Sequence, residues 1–228
     1  MSCKTTKAIC FDFDGTLARF TGDFGGLIAG FYSELMPDRD DPRGFSSKSF
    51  AEVLSQELHR EGPVTLRGAV QATLGVLEHP LPDDSGQLAA QVIADYSEQM
   101  ALLPGALDIL NFCRGRELPL ALLTNGPEDM QRAAVRAVGL ESYFSRILVS
   151  GDPDIAVRKP DSRMFKLACE ALSTKPENTL MVGDNLEADV RGALSCGMQA
   201  VYLGAESGPG YETVPDIQAF GAWLKTYS

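Results

Sequence analysis

Histidine is almost missing from this chain: His59 and His79 are the only two in 228 residues. Neither lies near a plausible serine or cysteine nucleophile motif, which argues against a hydrolase built on imidazole activation and against a histidine-rich zinc site. Cysteine is sparse as well. The five (Cys3, Cys10, Cys113, Cys169, Cys196) are odd in number and form no CxxC pair. A disulfide framework or a thiolate-bound metal is therefore not expected. The thiols fit a reducing cytoplasm, with Cys10 and Cys113 read as inert core residues. Positive charge is in deficit, with 20 Lys+Arg against 31 Asp+Glu and a formal net charge of −11. Such a field disfavours nucleic acid as the main partner, although one small anion in a local basic pocket stays compatible. The apolar runs are far shorter than the roughly 20 residues of a membrane span, and none before Asp12 has the length of a signal peptide. The expectation is a cytoplasmic protein that contacts neither nucleic acid nor membrane.

What is present is ordinary globular composition, 44% hydrophobic and 22% charged, in a length that suits one large domain or one domain carrying an insertion. Short apolar runs at 7–13, 118–124, 146–149, 179–182 and 199–203 read as buried strands. Helical periodicity follows at 105–114, 127–138, 162–172, 186–196 and 216–227. This alternation predicts an α/β fold with a parallel sheet covered by helices on both faces. Residues 17–100 differ: they hold no convincing strand, and helices are predicted at 27–36, 49–60, 65–78 and 85–100. The expected organisation is an α/β core of residues 1–17 and 101–228, interrupted by an all-helical cap of residues 18–100. Gly22, Gly25 and Gly26, where the chain would cross into the cap, read as a hinge.

Chemistry concentrates at the predicted strand ends. In the run DFDGTL, alternation along the strand puts Asp12 and Asp14 on one side. Thr124 and Asn125 close the next strand, Lys159 precedes Pro160 ahead of a helix, and Asp184 follows a third strand with Asp189 about one turn further on. Taken singly, these could be a DG turn, a helix cap, a solvated lysine and another cap. In a parallel sheet, however, such ends converge on one crevice. Several carboxylates suit Mg²⁺, while an ammonium, a hydroxyl and helix N-terminal amides suit phosphate oxygens. The combination points to phosphoryl transfer.

The order DxDGT, Thr-Asn, Lys-Pro-Asp and GDNxxxD resembles the haloacid dehalogenase superfamily, in its phosphatase-like branch. The superfamily's Rossmann-like core with an inserted helical cap matches the organisation expected above. The resemblance implies that Asp12 is the nucleophile and Asp14 the general acid and base. It implies that Thr124 and Lys159 hold the transferring oxygens, assisted by Asn125. Mg²⁺ would be bound by Asp12, by the backbone carbonyl of Asp14 and by Asp184, with Asp189 orienting a metal-bound water or Lys159 from behind. The implied activity is hydrolysis of a small phosphorylated metabolite through an aspartyl-phosphate, by a monomer or homodimer. Alternatives are a sugar phosphomutase, a phosphonatase using Lys48, the one lysine of the expected cap, and a non-enzymatic phospho-acceptor. A dehalogenase is disfavoured because those members lack the second acid, here Asp14. Arg19, Thr21, Asp23 and Arg67 are candidate contacts to the leaving group.

Overall fold

The computed structural model of the chain describes residues 6–36 and 46–227. Its first strand, β1 (Ala8–Phe11), leads to a short β2 (Ala18–Phe20) and then to four helices: α1 (Phe24–Leu35), α2 (Ser47–Leu58), α3 (Leu66–Val76) and α4 (Ser85–Glu98). The chain returns through β3 (Met100–Leu102) to α5 (Ala106–Gly115), β4 (Leu120–Thr124), α6 (Glu128–Ala137), β5 (Arg146–Val149) and α7 (Ser162–Ala171). It ends with β6 (Thr179–Gly183), α8 (Gly192–Ser195), β7 (Gln199–Leu203), β8 (Glu212–Val214) and α9 (Ile217–Tyr227).

Six strands form one sheet in the order β5-β4-β1-β6-β7-β8, every pair parallel. The expected Rossmann-like α/β fold is what the chain adopts. Alternation along β1 serves both faces. Ile9 and Phe11 join the larger core, where the Phe11 ring meets Phe220 of α9 edge-on at 5.9 Å. Ala8 and Cys10 turn to the other face, with Met164, Phe165 and Ala168 of α7. Strands buried on both faces explain why the sequence shows short continuous apolar runs. Cys10 and Cys113 are buried and free, as expected, while Cys3 lies outside the described residues.

Several local expectations need correction. Residues 17–100 do contain strand: β2 pairs antiparallel with β3, placing Arg19 opposite Ala101. Each is three residues long, too short for a period to show. The short edge strand β8 escaped notice for the same reason. The helix expected over 186–196 begins as a wide π turn, Leu186–Arg191, before α8. Asn185 starts it, its side-chain oxygen accepting from the amides of Glu187 and Ala188. The glycine hinge also changes character. Gly25 and Gly26 lie in the first turn of α1, and none of the three glycines has a left-handed backbone. A Cβ on Gly22 would lie 1.9 Å from Oε1 of Gln99, so this glycine permits close packing.

The inserted helices are tied to the sheet's loops between α2 and α3. Val64 donates to the Gly151 carbonyl and accepts from the Glu128 amide, while the Leu66 amide at the start of α3 donates to the Asp129 carboxylate.

Candidate active site

β1 delivers Asp12 at the carboxyl end of the sheet, and its amide still bonds to Val182 O at 2.9 Å. The next residue, Phe13, is fully buried in the core. The carbonyl of Phe13 accepts from the amides of Thr16, Leu17 and Ala18, which folds the chain into a tight turn. Gly15 sits in that turn at φ +81°, and a Cβ there would lie 2.1 Å from Oδ2 of Asp184. Both the backbone and the space therefore require glycine. Thr16 donates to Asp184 Oδ1 at 3.4 Å, tying the first loop to the loop after β6.

Lys159 is the charged centre of the site, 5% exposed. Its ammonium donates to Asp12 Oδ1 at 2.5 Å and to Leu123 O at 2.7 Å, and it lies 2.6 Å from Asp189 Oδ1. Burial opposes its charge, but Asp12 and Asp189 more than offset that and raise its pKa. Asn125 holds the lysine's backbone from both sides, donating to Lys159 O at 2.9 Å and accepting from Lys159 N at 2.8 Å. Its amide is thereby committed to positioning Lys159.

Asp12, Asp184 and Asp189 offer carboxylate oxygens that all lie within 4.8 Å of one another. The side chain of Asp189, expected behind the metal, thus belongs to the acidic group itself as well as to Lys159. Desolvation by the groups around it, followed by repulsion from Asp12, pushes Asp184 up to about 6 although the residue is exposed at the surface. Asp189 also rises to about 6, through burial and Asp12 acting against the pull of Lys159. Its buried Oδ1 has the ion pair but no aligned hydrogen bond. A crowded all-oxygen set with one ammonium is short of positive charge, and its donor chemistry fits a hard cation such as Mg²⁺.

Asp14 is bonded to a different partner. Its Oδ2 accepts from Gln131 Nε2 at 3.0 Å, and Gln131 Oε1 in turn accepts from Thr124 Oγ1 at 2.8 Å. Burial raises the Asp14 pKa to about 6; Gln131 opposes this and the charge of Asp12 adds to it. Gln131 was missed in the sequence. The available signal was a polar residue within the buried stripe of α6, beside Met130, Ala134 and Val135. Other sequence candidates have different partners. Thr21 is tied to Gln99 O, Arg67 packs near Gly86, and the side chain of Lys48 is 84% exposed with Glu52 one turn away.

These shifts carry a sign. Asp14, Asp184 and Asp189 bind protons more tightly in the folded chain, at about 6 against an ordinary 3.8. Between those values the metal-free folded state holds protons that the unfolded state has lost, so stability falls as pH rises through the window. The metal-free protein should melt higher at about pH 5 than at about pH 7.5, and Mg²⁺ should raise the melting temperature more at the higher pH. A melting temperature indifferent to both, followed by fluorescence, contradicts this account of the acidic group.

The chain is similar to known proteins. A family model described as haloacid dehalogenase-like hydrolase matches residues 6–197. Phosphoserine phosphatase of Thermus thermophilus is 45% identical over 102 residues, 45% of this chain and 40% of that protein. Ribulose-1,5-bisphosphate 5-phosphatase of Halopiger xanaduensis is 33% identical over 54% of this chain and 50% of its own length. The match to these two thus spans half or less of the relative. Phosphoglycolate phosphatase of Chromobacterium violaceum is 29% identical over 213 residues, 90% of this chain and 87% of that one. Among solved structures, an HAD phosphatase from Thermococcus onnurineus superposes with a TM-score of 0.68 at 22% identity, over 96% of this chain and 98% of that one, a likeness of fold. With the family model covering most of its length and the four motifs gathered at one end of the sheet, the chain belongs to the haloacid dehalogenase-like hydrolases.

Proposed function

We propose that this protein is a Mg²⁺-dependent phosphatase of small phosphorylated metabolites. The observation that carries the reading is Asp14: a half-buried carboxyl, bonded to Gln131 and pushed up to about 6 by desolvation, two residues from a carboxylate held by Lys159. An acid that exchanges its proton near neutrality is what the leaving oxygen of a phosphate ester requires. The same residue weighs against dehalogenation, whose halide leaves without a proton. The exposed, Glu52-paired Lys48 weighs against a Schiff-base phosphonatase.

In this reading Asp12 attacks phosphorus in line, forming a new O–P bond as the ester P–O bond breaks, and Asp14 gives its proton to the departing alkoxide. Water then attacks the aspartyl-phosphate and loses a proton to Asp14, releasing inorganic phosphate and restoring both carboxyls. Lys159, fixed by Asn125, offsets the charge that gathers on Asp12 and the phosphoryl oxygens, while the Thr124 hydroxyl gives its one proton to Gln131 rather than to phosphate. Asp12, Asp184 and the Asp14 carbonyl would hold Mg²⁺, with Asp189 steadying Lys159 and the metal's surroundings. When bound, the ion supplies electrostatic relief between the anionic phosphate and the carboxylates.

Residues 18–100 act as a cap domain on a core of residues 1–17 and 101–228 in this reading. Support comes from the β2–β3 crossing and from the ties of Val64 and Leu66 to the core loops. An aromatic cluster also lies near Asp14: Phe20 stacks on Tyr96 at 5.0 Å, with Phe24 edge-on to both. A cap favours a substrate small enough to be enclosed, as the named substrates of the phosphoserine and phosphoglycolate phosphatases are. Among the described residues no helix is long and apolar enough to cross a membrane.

Two variants separate the proposed roles. Asp14→Asn should slow hydrolysis of alkyl phosphates by about 10²–10⁴, far more than that of activated aryl phosphates, whose leaving groups need no proton. Asp184→Ala should instead raise the Mg²⁺ concentration for half-maximal rate, equally for both esters. Identical leaving-group and metal dependence in the two variants refutes the assignment.

A further inference from the structure

Gln131 lies between Thr124 and Asp14. It is 5% exposed, on the buried face of α6. A primary amide there is costly unless both of its ends are bonded. Both are: Oε1 accepts from Thr124 at the end of β4, and Nε2 donates to Asp14, the acid of the proposed reaction, 117 residues away in sequence, beyond the end of β1. Room for the amide is made by Gly126, where a Cβ would lie 2.8 Å from Gln131 Cγ and 2.9 Å from Nε2. Among the described residues Gln131 is also the one side-chain hydrogen-bond partner of the Asp14 carboxyl.

We propose that Gln131 is a positioning residue that fixes the rotation of the Asp14 carboxyl and ties it to Thr124, so that Oδ1 is the oxygen presented to the leaving group. The chemistry of the amide supports this. An N–H donor binds a lone pair on its acceptor, so Oδ2 carries the Gln131 bond and the proton is favoured on Oδ1, which has no side-chain partner among the described residues. The Thr124 bond holds the amide in the orientation that aims its donor, not its carbonyl, at Asp14. A glutamate here would keep an acceptor for Thr124 but present a carboxylate oxygen to Asp14. A methionine would fill the space with neither bond. Because the inference rests on Asp14 being the general acid, Asp14→Asn belongs in the same experiment.

The test compares Gln131→Met, Gln131→Glu and Asp14→Asn in the full chain at saturating Mg²⁺, each on an alkyl phosphate and on p-nitrophenyl phosphate. Misorienting a reacting group by about 1 Å costs on the order of 10² in rate. Both Gln131 variants should therefore lose about 10–100-fold in kcat on the alkyl ester, with KM little changed, and only a few-fold on the aryl ester. Adding Gln131→Met to Asp14→Asn should cost the alkyl ester nothing further. A packing defect would slow both esters alike, so equal losses, or none, overturn the proposal while a leaving-group signature in Asp14→Asn leaves the phosphatase reading standing. If Asp14→Asn itself shows no such signature, that reading falls and the role of Gln131 falls with it. Should Gln131→Met fail to fold, Gln131→Glu decides the matter by the same comparison.

Discussion

Asp12→Asn is expected to abolish turnover while leaving the protein folded. An amide oxygen is a poor nucleophile toward phosphorus, and losing the nucleophile of a covalent mechanism costs on the order of 10⁶ in kcat. The fold should tolerate the change. Asp12 sits at the end of β1 with its backbone still in the ladder, and an asparagine of the same shape keeps an oxygen for Lys159. The ammonium retains Leu123 O and Asp189 in any case. Removing one charge also eases Asp184 and Asp189, whose raised pKa values owe part of their shift to Asp12. The melting temperature of the metal-free variant should therefore not fall below the parent's. Activity above trace, with mass spectrometry excluding deamidation back to aspartate, would disprove the nucleophile assignment.

Lys159→Met should produce the largest loss of stability. The lysine side chain is 2% exposed and pairs with Asp12 and Asp189, themselves 10% and 1% exposed. Methionine matches the volume but leaves these carboxylates facing one another without a cation. Breaking a buried ion pair from one side costs about 3–5 kcal/mol, and activity should vanish with the phosphate-facing charge. The ammonium holds the Asp184 and Asp189 pKa values down, so losing it raises both further. The folded variant then holds protons the unfolded chain has released, so its deficit is greatest near neutrality and shrinks toward about pH 5. Urea unfolding at the two pH values reads this directly. An unchanged midpoint near neutrality would show that the ion cluster does not support the fold.

The two variants address residues of unequal legibility. Asp12 and Asp14 stand out because strand alternation and the apolar run before them are local patterns, and two carboxylates at a buried strand's end have few structural uses. Lys159 and Asp184 gain meaning only from their shared position after strands, which a parallel sheet converts into proximity. Gln131 stayed hidden because one polar residue in an amphipathic helix carries no signal of what it faces.

Elements divide in the same way. Periodicities of two and 3.6 residues are written into neighbouring side chains, so the alternation of strands and helices, the helical block after the first strand and the four motifs were determined by the sequence by itself. The β2–β3 pair joins residues about 80 positions apart through backbone bonds that no local pattern encodes. The same holds for the π turn that brings Asp189 back toward Asp12, the tie of Val64 to Gly151 and the bridge from Thr124 through Gln131 to Asp14. Only the tertiary structure decided these, because each depends on which distant surfaces meet when the core closes, and on which buried polar groups must then find one another.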